Sequence, residues 1–229
     1  MKLSRSALAL LPLQSLHEAR NWSKADVSLV EWPPLSGKKI VVKDLRRCPL
    51  WFRRTVGRRF LKREWDILRR LDNWGFAPRA LHRIDADAIG IEFRAGVAAK
   101  RGDETILTGA VLLRIENAVR GLHERGIMHG DLHGGNILIA QDEKITFIDW
   151  ATAVYFGCPP RGPKARLFEE GRALDLRSVA KMKNLYAPET LGDDERELLE
   201  GGGSRLYRGV KKLRHLRAGG RRQETRETE

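Results

Sequence analysis

The residues that could carry chemistry are concentrated at positions 129–136 and at position 149. Asp131 stands five positions before Asn136 on a glycine-containing stretch, and Asp149 follows the apolar run at 145–148. A carboxylate such as that of Asp131 can accept or orient a substrate hydroxyl, while amide and carboxylate oxygens are the ligands that Mg²⁺ prefers. The spacing therefore predicts a base at Asp131 and metal ligands at Asn136 and Asp149.

The same residues admit plainer interpretations when each is taken alone. His129, Asp131 and His133 alternate, so they could form a metal-binding trio on one strand face, although no fourth ligand follows nearby. Asn136 also fits a left-handed loop position, and Asp149 fits a turn after a strand. The chemical interpretation therefore depends on residues elsewhere in the chain.

Two upstream residues complete a recognisable set. Lys43 lies near the end of the apolar stretch 38–44, and Glu64 shares a helical face with the apolar residues of 60–71. Lys43 can hold the α- and β-phosphate oxygens of a nucleotide while Glu64 pairs with it and fixes its side chain. Together with Asp131, they predict an enzyme that moves the γ-phosphoryl group of ATP to a hydroxyl, with ATP and Mg²⁺ as cofactors.

The order and spacing of these motifs over residues 20–155 resemble the protein-kinase-like superfamily. The strand that contains Lys43 resembles the family's Val-Ala-Ile-Lys strand, residues 129–136 resemble its catalytic loop, and residues 148–151 resemble its Asp-Phe-Gly segment. The resemblance implies an α+β, two-lobed protein-kinase-like fold with a reduced helical C-lobe. By this resemblance, Lys43, Glu64 and Asp131 have catalytic roles. Asn136 and Asp149 would bind the metal ion.

Departures from the family pattern narrow the class of kinase. No glycine-rich loop precedes Lys43; residues 21–27 instead resemble the phosphate loop of RIO-type atypical kinases, which implies nucleotide contacts from Ser23, Lys24 and Ala25. Gly130 replaces the arginine that reads a phosphorylated activation loop. The sequence His-Gly-Asp-Leu-His at 129–133 is similar to the corresponding motif of aminoglycoside and choline phosphotransferases.

Position in the motif order also predicts the adenine site. Glu92, Phe93 and Arg94 would form the hinge that binds adenine through backbone groups, while Val27 and Ile139 would cover its faces.

The phosphate acceptor is less well defined. The first choice is a protein serine or threonine, because the phosphate loop and the short C-lobe look most like small atypical protein kinases. The alternatives are a sugar of the lipopolysaccharide core or another small molecule. A pseudokinase or nucleic-acid-binding module is a further alternative from a different class.

Apolar periodicity predicts the elements that must position these residues. Strands are expected at 27–32, 38–44, 83–87, 88–93, 136–140 and 145–149, and helices at 60–71, 107–125, 174–185 and 193–200. The N-lobe would span 1–93 and the C-lobe 94–200. Residues 201–229 are highly charged with few apolar positions, which predicts a basic, mostly disordered tail.

The charge distribution predicts candidate partners. The net charge is +13, and the basic residues are clustered at 46–70 and 205–222. Such clusters could bind a ribosome, nucleic acid or an anionic membrane surface, or simply be solvated.

The spacing of Cys48 and Cys158 fits neither a metal site nor a disulfide framework. We expect a monomer in the cytoplasm, with peripheral association at the inner membrane as an alternative.

Overall fold

A five-stranded antiparallel sheet dominates the first part of the chain. The computed structural model describes residues 2–17, 24–99 and 106–200. The strands are β1 Gln14–His17, β2 Asp26–Glu31, β3 Lys39–Asp44, β4 Ala80–Arg83 and β5 Ala88–Glu92, in the spatial order β1-β2-β3-β5-β4. In the central part of the sheet, Lys43 is paired with Val27 on one side and with Ile89 on the other. The strands predicted at 27–32, 38–44 and 88–93 are confirmed to within one residue.

The strand predicted at 83–87 is wrong, because β4 ends at Arg83. Asp85 accepts a hydrogen bond from the backbone N–H of Asp87 at 2.7 Å, and the carboxylate of Asp87 accepts one from Arg58 Nε at 2.7 Å. Aspartate side chains that bind nearby backbone groups favour turns over strands. Residues 85–87 accordingly form a bend. The observed strand, β4, ends four residues before the predicted end at position 87.

A single helical run covers the sheet. It comprises α2 Leu50–Phe52, a π-helical turn at Arg53–Gly57 and α3 Arg58–Arg70; a short N-terminal helix, α1 Arg5–Ala9, precedes the sheet. The run begins ten residues before the predicted start at position 60. The buried residues of α3 are Leu61, Glu64, Ile67 and Leu68, so Glu64 does share the apolar face, whereas Phe60 is only half-buried.

The second part of the chain is mainly helical. It contains α4 Gly109–Glu124, α5 Pro163–Tyr186 and α6 Asp193–Glu200. The Thr108 hydroxyl caps α4 by accepting from the Val111 N–H at 3.4 Å. The start predicted for α5, position 174, is wrong by eleven residues because Pro163 already occupies the first helical turn, a favoured proline position. Gly171 lets α5 approach closely, since a Cβ there would lie 2.1 Å from Met128 Sδ.

Short strands connect the two parts. They are β6 Val97–Ala98, β7 Ile127–Met128, β8 Ile137–Ile139, β9 Ile145–Phe147 and β10 Val154–Tyr155; β6, β8 and β9 form one small sheet, and β7 pairs with β10. The strands predicted at 136–140 and 145–149 are therefore present but shorter. Together, the antiparallel sheet and the small helical part confirm the predicted α+β, kinase-like fold.

One buried cluster runs through both parts of the chain. It includes Leu68 and Ile89 from the sheet side and Leu112 and Phe147 from the helical side. The lobe boundary between 93 and 94 therefore stays a prediction, and the predicted tail at 201–229 lies outside the described residues. Trp32, Trp65 and Trp74 are buried or half-buried, whereas Trp51 is 59 % exposed. None of the described helices has both the length and the apolar character to span a bilayer.

Candidate active site

Lys43 is held between two carboxylates. Its Nζ lies 2.5 Å from Glu64 Oε1 on α3 and 3.5 Å from Asp149 Oδ1, just beyond β9. Glu64 is 2 % exposed and also accepts a hydrogen bond from the backbone N–H of Trp150. Strand β3, helix α3 and the segment after β9 thus meet at one ion-paired centre.

The charge state of Lys43 follows from this environment. Burial alone would lower the pKa of its ammonium group, but the carboxylates of Glu64 and Asp149 outweigh the burial and raise that pKa above its ordinary value. Lys43 is therefore protonated at neutral pH. A protonated amine in this position can bind phosphate oxygens.

His129 braces the loop that carries Asp131. Its ring is fully buried, its Nε2 lies 3.2 Å from the carbonyl oxygen of Ile148, and its Nδ1 accepts from the Asp131 N–H at 3.4 Å. Burial lowers the pKa of His129 and outweighs the opposing effects of Asp175 and Asp149. A neutral imidazole that donates from Nε2 and accepts at Nδ1 satisfies both contacts, so His129 links the loop to the backbone after β9.

Asp175 is a site residue that sequence reasoning missed. It lies on α5, is 1 % exposed, and its carboxylate accepts from the backbone N–H groups of His129 at 2.7 Å and Gly130 at 3.0 Å. His123 Nε2 lies 3.2 Å from the same carboxylate. The sequence did contain an indication of this role, because Asp175 lies on the same helical stripe as Val179 and Met182. A carboxylate on an apolar helix face is stable only with a buried hydrogen-bonding partner.

The glycines of the loop allow close approaches that other residues would prevent. Gly130 has φ of +76°, and a Cβ there would come within 3.0 Å of the Thr152 carbonyl oxygen. A Cβ at Gly134 would lie 1.9 Å from the carbonyl oxygen of Ala99. The glycine that replaces the usual arginine at position 130 is thus required by the backbone conformation of this loop.

Asp131 and Asn136 are tied together within the loop. Asn136 Nδ2 donates to the backbone oxygen of Asp131 at 2.9 Å, which leaves the amide oxygen of Asn136 as an acceptor. The backbone oxygen of Asn136 in turn accepts from Ile148 N–H at 2.9 Å, next to Asp149. Asp149 has φ of +61° and ψ of +66°, a left-handed conformation that is uncommon for residues other than glycine and often marks a functional site.

An oxygen-liganded cation fits this donor set. The amide oxygen of Asn136 and the carboxylate of Asp149 are hard donors of the kind that Mg²⁺ prefers. The alternative trio of His129, Asp131 and His133 lacks support, since the described part of the chain contains no cluster of three His, Cys, Asp or Glu side chains that could hold a metal ion. His133 Nε2 is 4.0 Å from Asp131 Oδ1.

Lys24, two positions before β2, lies close to the loop. Burial lowers the pKa of His133 despite the opposing charge of Asp149, and the positive charge of the exposed Lys24 adds to this lowering. Ala25 is half-buried against the main core, and Val27 is half-buried beside Lys43 in the sheet. Ser23 lies outside the described residues. Nucleotide contacts from this segment stay a prediction.

The predicted hinge begins at Glu92, the last residue of β5. Glu92 Oε2 accepts from Arg79 N–H at 3.0 Å and lies 3.0 Å from an Arg94 guanidinium nitrogen, while Phe93 is half-buried. Ile139 is buried on β8. The side chains of Glu92 and Arg94 are thus engaged with each other, and the backbone groups of 92–94 remain the predicted adenine contacts.

Residues 48–155 match the phosphotransferase enzyme family. The matched segment includes Glu64, Asp131, Asn136 and Asp149 and begins five positions after Lys43. The match supports a kinase-like enzyme of the protein-kinase-like and phosphotransferase superfamily, a family whose members generally use ATP. No curated protein matches the chain. The match favours neither RIO-type kinases nor lipopolysaccharide-core kinases.

Proposed function

We propose that this protein is an ATP- and Mg²⁺-dependent phosphotransferase that moves the γ-phosphoryl group to a hydroxyl acceptor. The observation that carries the proposal is the position of the Lys43 ammonium between Glu64 and Asp149, 2.5 and 3.5 Å from their oxygens. Lysine, helix glutamate and strand-end aspartate are the positioning groups that phosphoryl transfer needs. The family match over residues 48–155 supports the same reaction class.

Each residue has a separate role in this proposal. Lys43 binds α- and β-phosphate oxygens, and Glu64 holds the lysine side chain in place. Asn136 and Asp149 would hold Mg²⁺, which supplies charge neutralisation of the phosphates. Asp131 orients the acceptor hydroxyl and takes up its proton as the oxygen attacks the γ-phosphorus, while the bond to the β-phosphate oxygen breaks and ADP leaves.

We further propose that the acceptor hydroxyl belongs to a small molecule, for example a sugar. Only residues 150–162 separate Asp149 from the start of α5, and part of this segment is already used in β10, which pairs with β7. Little extended chain is therefore left to dock a peptide. Gly130, which replaces the arginine of regulated protein kinases, supports the same choice, and a lipopolysaccharide-core sugar falls within this class.

A protein serine or threonine is the second candidate. It is favoured by Lys24, whose charge acts on His133 at the catalytic loop, because the segment around Lys24 resembles the phosphate loop of RIO-type protein kinases. The resemblance to RIO-type kinases is limited to residues 21–27, and it makes a protein acceptor the second class to test.

Incubation of the full chain with γ-labelled ATP and Mg²⁺ tests both candidates. Lipopolysaccharide, small sugars and aminoglycosides form one set of acceptors, and total cell protein forms the other. Label in a small molecule or in lipopolysaccharide supports the first candidate, and label in protein supports the second. Undetectable Mg²⁺-dependent ATP binding by calorimetry would reject the enzyme and favour a pseudokinase.

Asp131→Asn should lower turnover by about two to four orders of magnitude, because a positioned general base contributes that much. Nucleotide affinity should change little, since Asp131 is not proposed to bind the nucleotide. The matched control is Asp142→Asn, which removes an exposed carboxylate from the turn before β9. Turnover of the Asp131 variant close to that of the control would contradict the assignment.

A further inference from the structure

The exposed face of α3 forms a basic groove together with β10. The groove has a volume of about 360 Å³, and four cationic side chains line it, Arg59, Lys62, Arg63 and Arg70, with Asp66 as the single carboxylate. None of the residues assigned to catalysis lines it. The groove is therefore distinct from the phosphotransfer site, although one of its walls is the helix that carries Glu64.

Most of the basic residues before this face are already paired with carboxylates. Arg53 and Arg58 share Asp87, with N···O distances of 3.4 and 2.7 Å, and Arg46 pairs with Asp44 at 3.1 Å. These ion pairs neutralise much of the first basic cluster. Its charge is therefore not spread evenly over the surface.

Most of the cations that line the groove are not paired with carboxylates of the described residues. Lys62 pairs with Asp66, but among the described residues Arg59, Arg63 and Arg70 have no carboxylate partner within ion-pair distance. The guanidinium of Arg70 lies over the Tyr155 ring, 4.2 Å from its centroid. This contact holds Arg70 at the edge of the groove without neutralising it. Three arginines thus converge on one cavity.

The floor of the groove is apolar. It is formed by Ile67 and Ala153, which are buried, and by the half-buried Val154. A cavity of this volume falls within the range of small-molecule sites, in which apolar walls accept the carbon skeleton and a few charged groups fix its orientation. Guanidinium groups bind phosphate oxygens in a bidentate manner and are more weakly hydrated than ammonium groups.

We propose that this groove binds a phosphate-bearing organic anion, with the phosphate on Arg59, Arg63 and Arg70 and the carbon skeleton over the apolar floor. A free phosphate ester and the headgroup of an anionic lipid share this chemistry. Anion binding in the groove does not depend on phosphotransferase activity. The groove residues are not part of the phosphotransfer site, and binding is measured without a reaction.

Calorimetry on the full chain tests the proposal with glucose 6-phosphate as the soluble probe and glucose and succinate as comparators. A second arm uses phosphatidylcholine vesicles with and without phosphatidic acid. We expect binding of the phosphate-bearing probe in at least one arm and no comparable binding of glucose or succinate. The arm that binds identifies a soluble ester or a lipid headgroup as the source. No binding in either arm, or succinate binding as tight as that of glucose 6-phosphate, overturns the proposal.

Two matched variants locate the site. Arg59→Gln with Arg63→Gln should weaken binding about tenfold or more, a loss of at least about 1.4 kcal/mol. Arg54→Gln with Arg69→Gln removes the same charge from exposed positions of the same helical run that do not line the groove, and should have a much smaller effect. Equal losses would show a diffuse charge effect and overturn the proposal. So would loss of binding in Lys43→Ala, since the anion would then occupy the phosphotransfer site.

Discussion

At the scale of single residues, the catalytic loop is held by one buried carboxylate. Asp175 accepts two backbone N–H groups, from His129 and Gly130, immediately before Asp131. Hydrogen bonds to a charged acceptor contribute more than neutral ones, and a buried donor left without its acceptor costs its full desolvation free energy. The position of Asp131 thus depends on a residue more than forty positions away in sequence.

Asp175→Asn should lower the free energy of unfolding by about 1.5–3 kcal/mol, because the amide keeps one acceptor oxygen and turns an N–H group toward a backbone donor. Urea denaturation measures the change. Turnover should fall while nucleotide affinity stays constant, which separates positioning of the loop from loss of binding. Asp142→Asn, in an exposed turn, is the control and should leave both quantities unchanged.

His129 predicts a pH dependence of stability. Burial lowers its pKa in the folded protein, so below the ordinary histidine pKa of about 6.5 the unfolded chain binds a proton that the folded chain resists. The free energy of unfolding should therefore be highest above that pH and fall as the pH drops toward the folded-state pKa, by up to about 1.4 kcal/mol per pH unit.

Denaturation of His129→Gln from pH 7.5 to 5.5 checks this expectation. Part of the acid-induced loss of stability should disappear, because glutamine has no titrating group. The comparison is His133→Gln; burial also lowers the pKa of His133, but its side chain is 51 % exposed, so its contribution should be smaller. An unchanged pH profile in His129→Gln would show that another group controls the acid sensitivity.

At the scale of elements, a buried lysine joins three helices. Lys183 on α5 is 2 % exposed, forms an ion pair with Glu116 on α4, and lies 2.9 Å from Glu195 on α6. These two carboxylates outweigh the effect of burial and raise the pKa of Lys183. The ion pairs therefore fix the position of α5, which in turn carries Asp175 to the catalytic loop.

Lys183→Met should destabilise the protein by about 3–5 kcal/mol, since its removal leaves the Glu195 carboxylate without its cation and leaves Glu116 with the exposed Arg120 alone. The triple variant Lys183→Met, Glu116→Gln, Glu195→Gln should regain much of this loss because no buried charge is left without a partner. Chemical denaturation of both variants gives the comparison. A triple variant no more stable than the single one would contradict this account of the interaction.

The elements also show what the sequence could and could not predict. Helix α4 was predicted to within two residues at each end, because Val111, Leu112, Ile115, Val119 and Leu122 repeat at helical spacing and all are buried. The first half of α5 was missed because glycine, proline and charged residues hide its periodicity. Lys43 and Glu64 were predicted to pair, and the distance of 2.5 Å agrees. Asp175 was missed although it shares the apolar stripe of Val179 and Met182, because the sequence does not identify its distant partners, the backbone N–H groups of His129 and Gly130.

At the scale of the whole molecule, the two basic clusters have different capacities for external anions. In the first cluster, Arg46, Arg47, Arg53, Arg58 and Lys62 all lie within 4 Å of a carboxylate of the same chain. The second cluster, at 205–222, lies outside the described residues, and no acidic residue occurs within that stretch of sequence. We expect non-specific binding to a polyanion to depend mainly on the second cluster.

The salt dependence of binding to a short duplex DNA tests this expectation. Lys211→Gln, Lys212→Gln and Arg214→Gln together should reduce the slope of log K against log salt by about 0.9 for each phosphate that the variant no longer neutralises, and so by about 2–3 in total. Arg46→Gln with Arg47→Gln removes two cations that already lie within 4 Å of Asp44 and Asp26, and should reduce the slope less per cation removed. If the tail substitutions left the slope unchanged, polyanions would instead bind the folded surface, and the arginine groove along α3 would be the first place to examine for that binding.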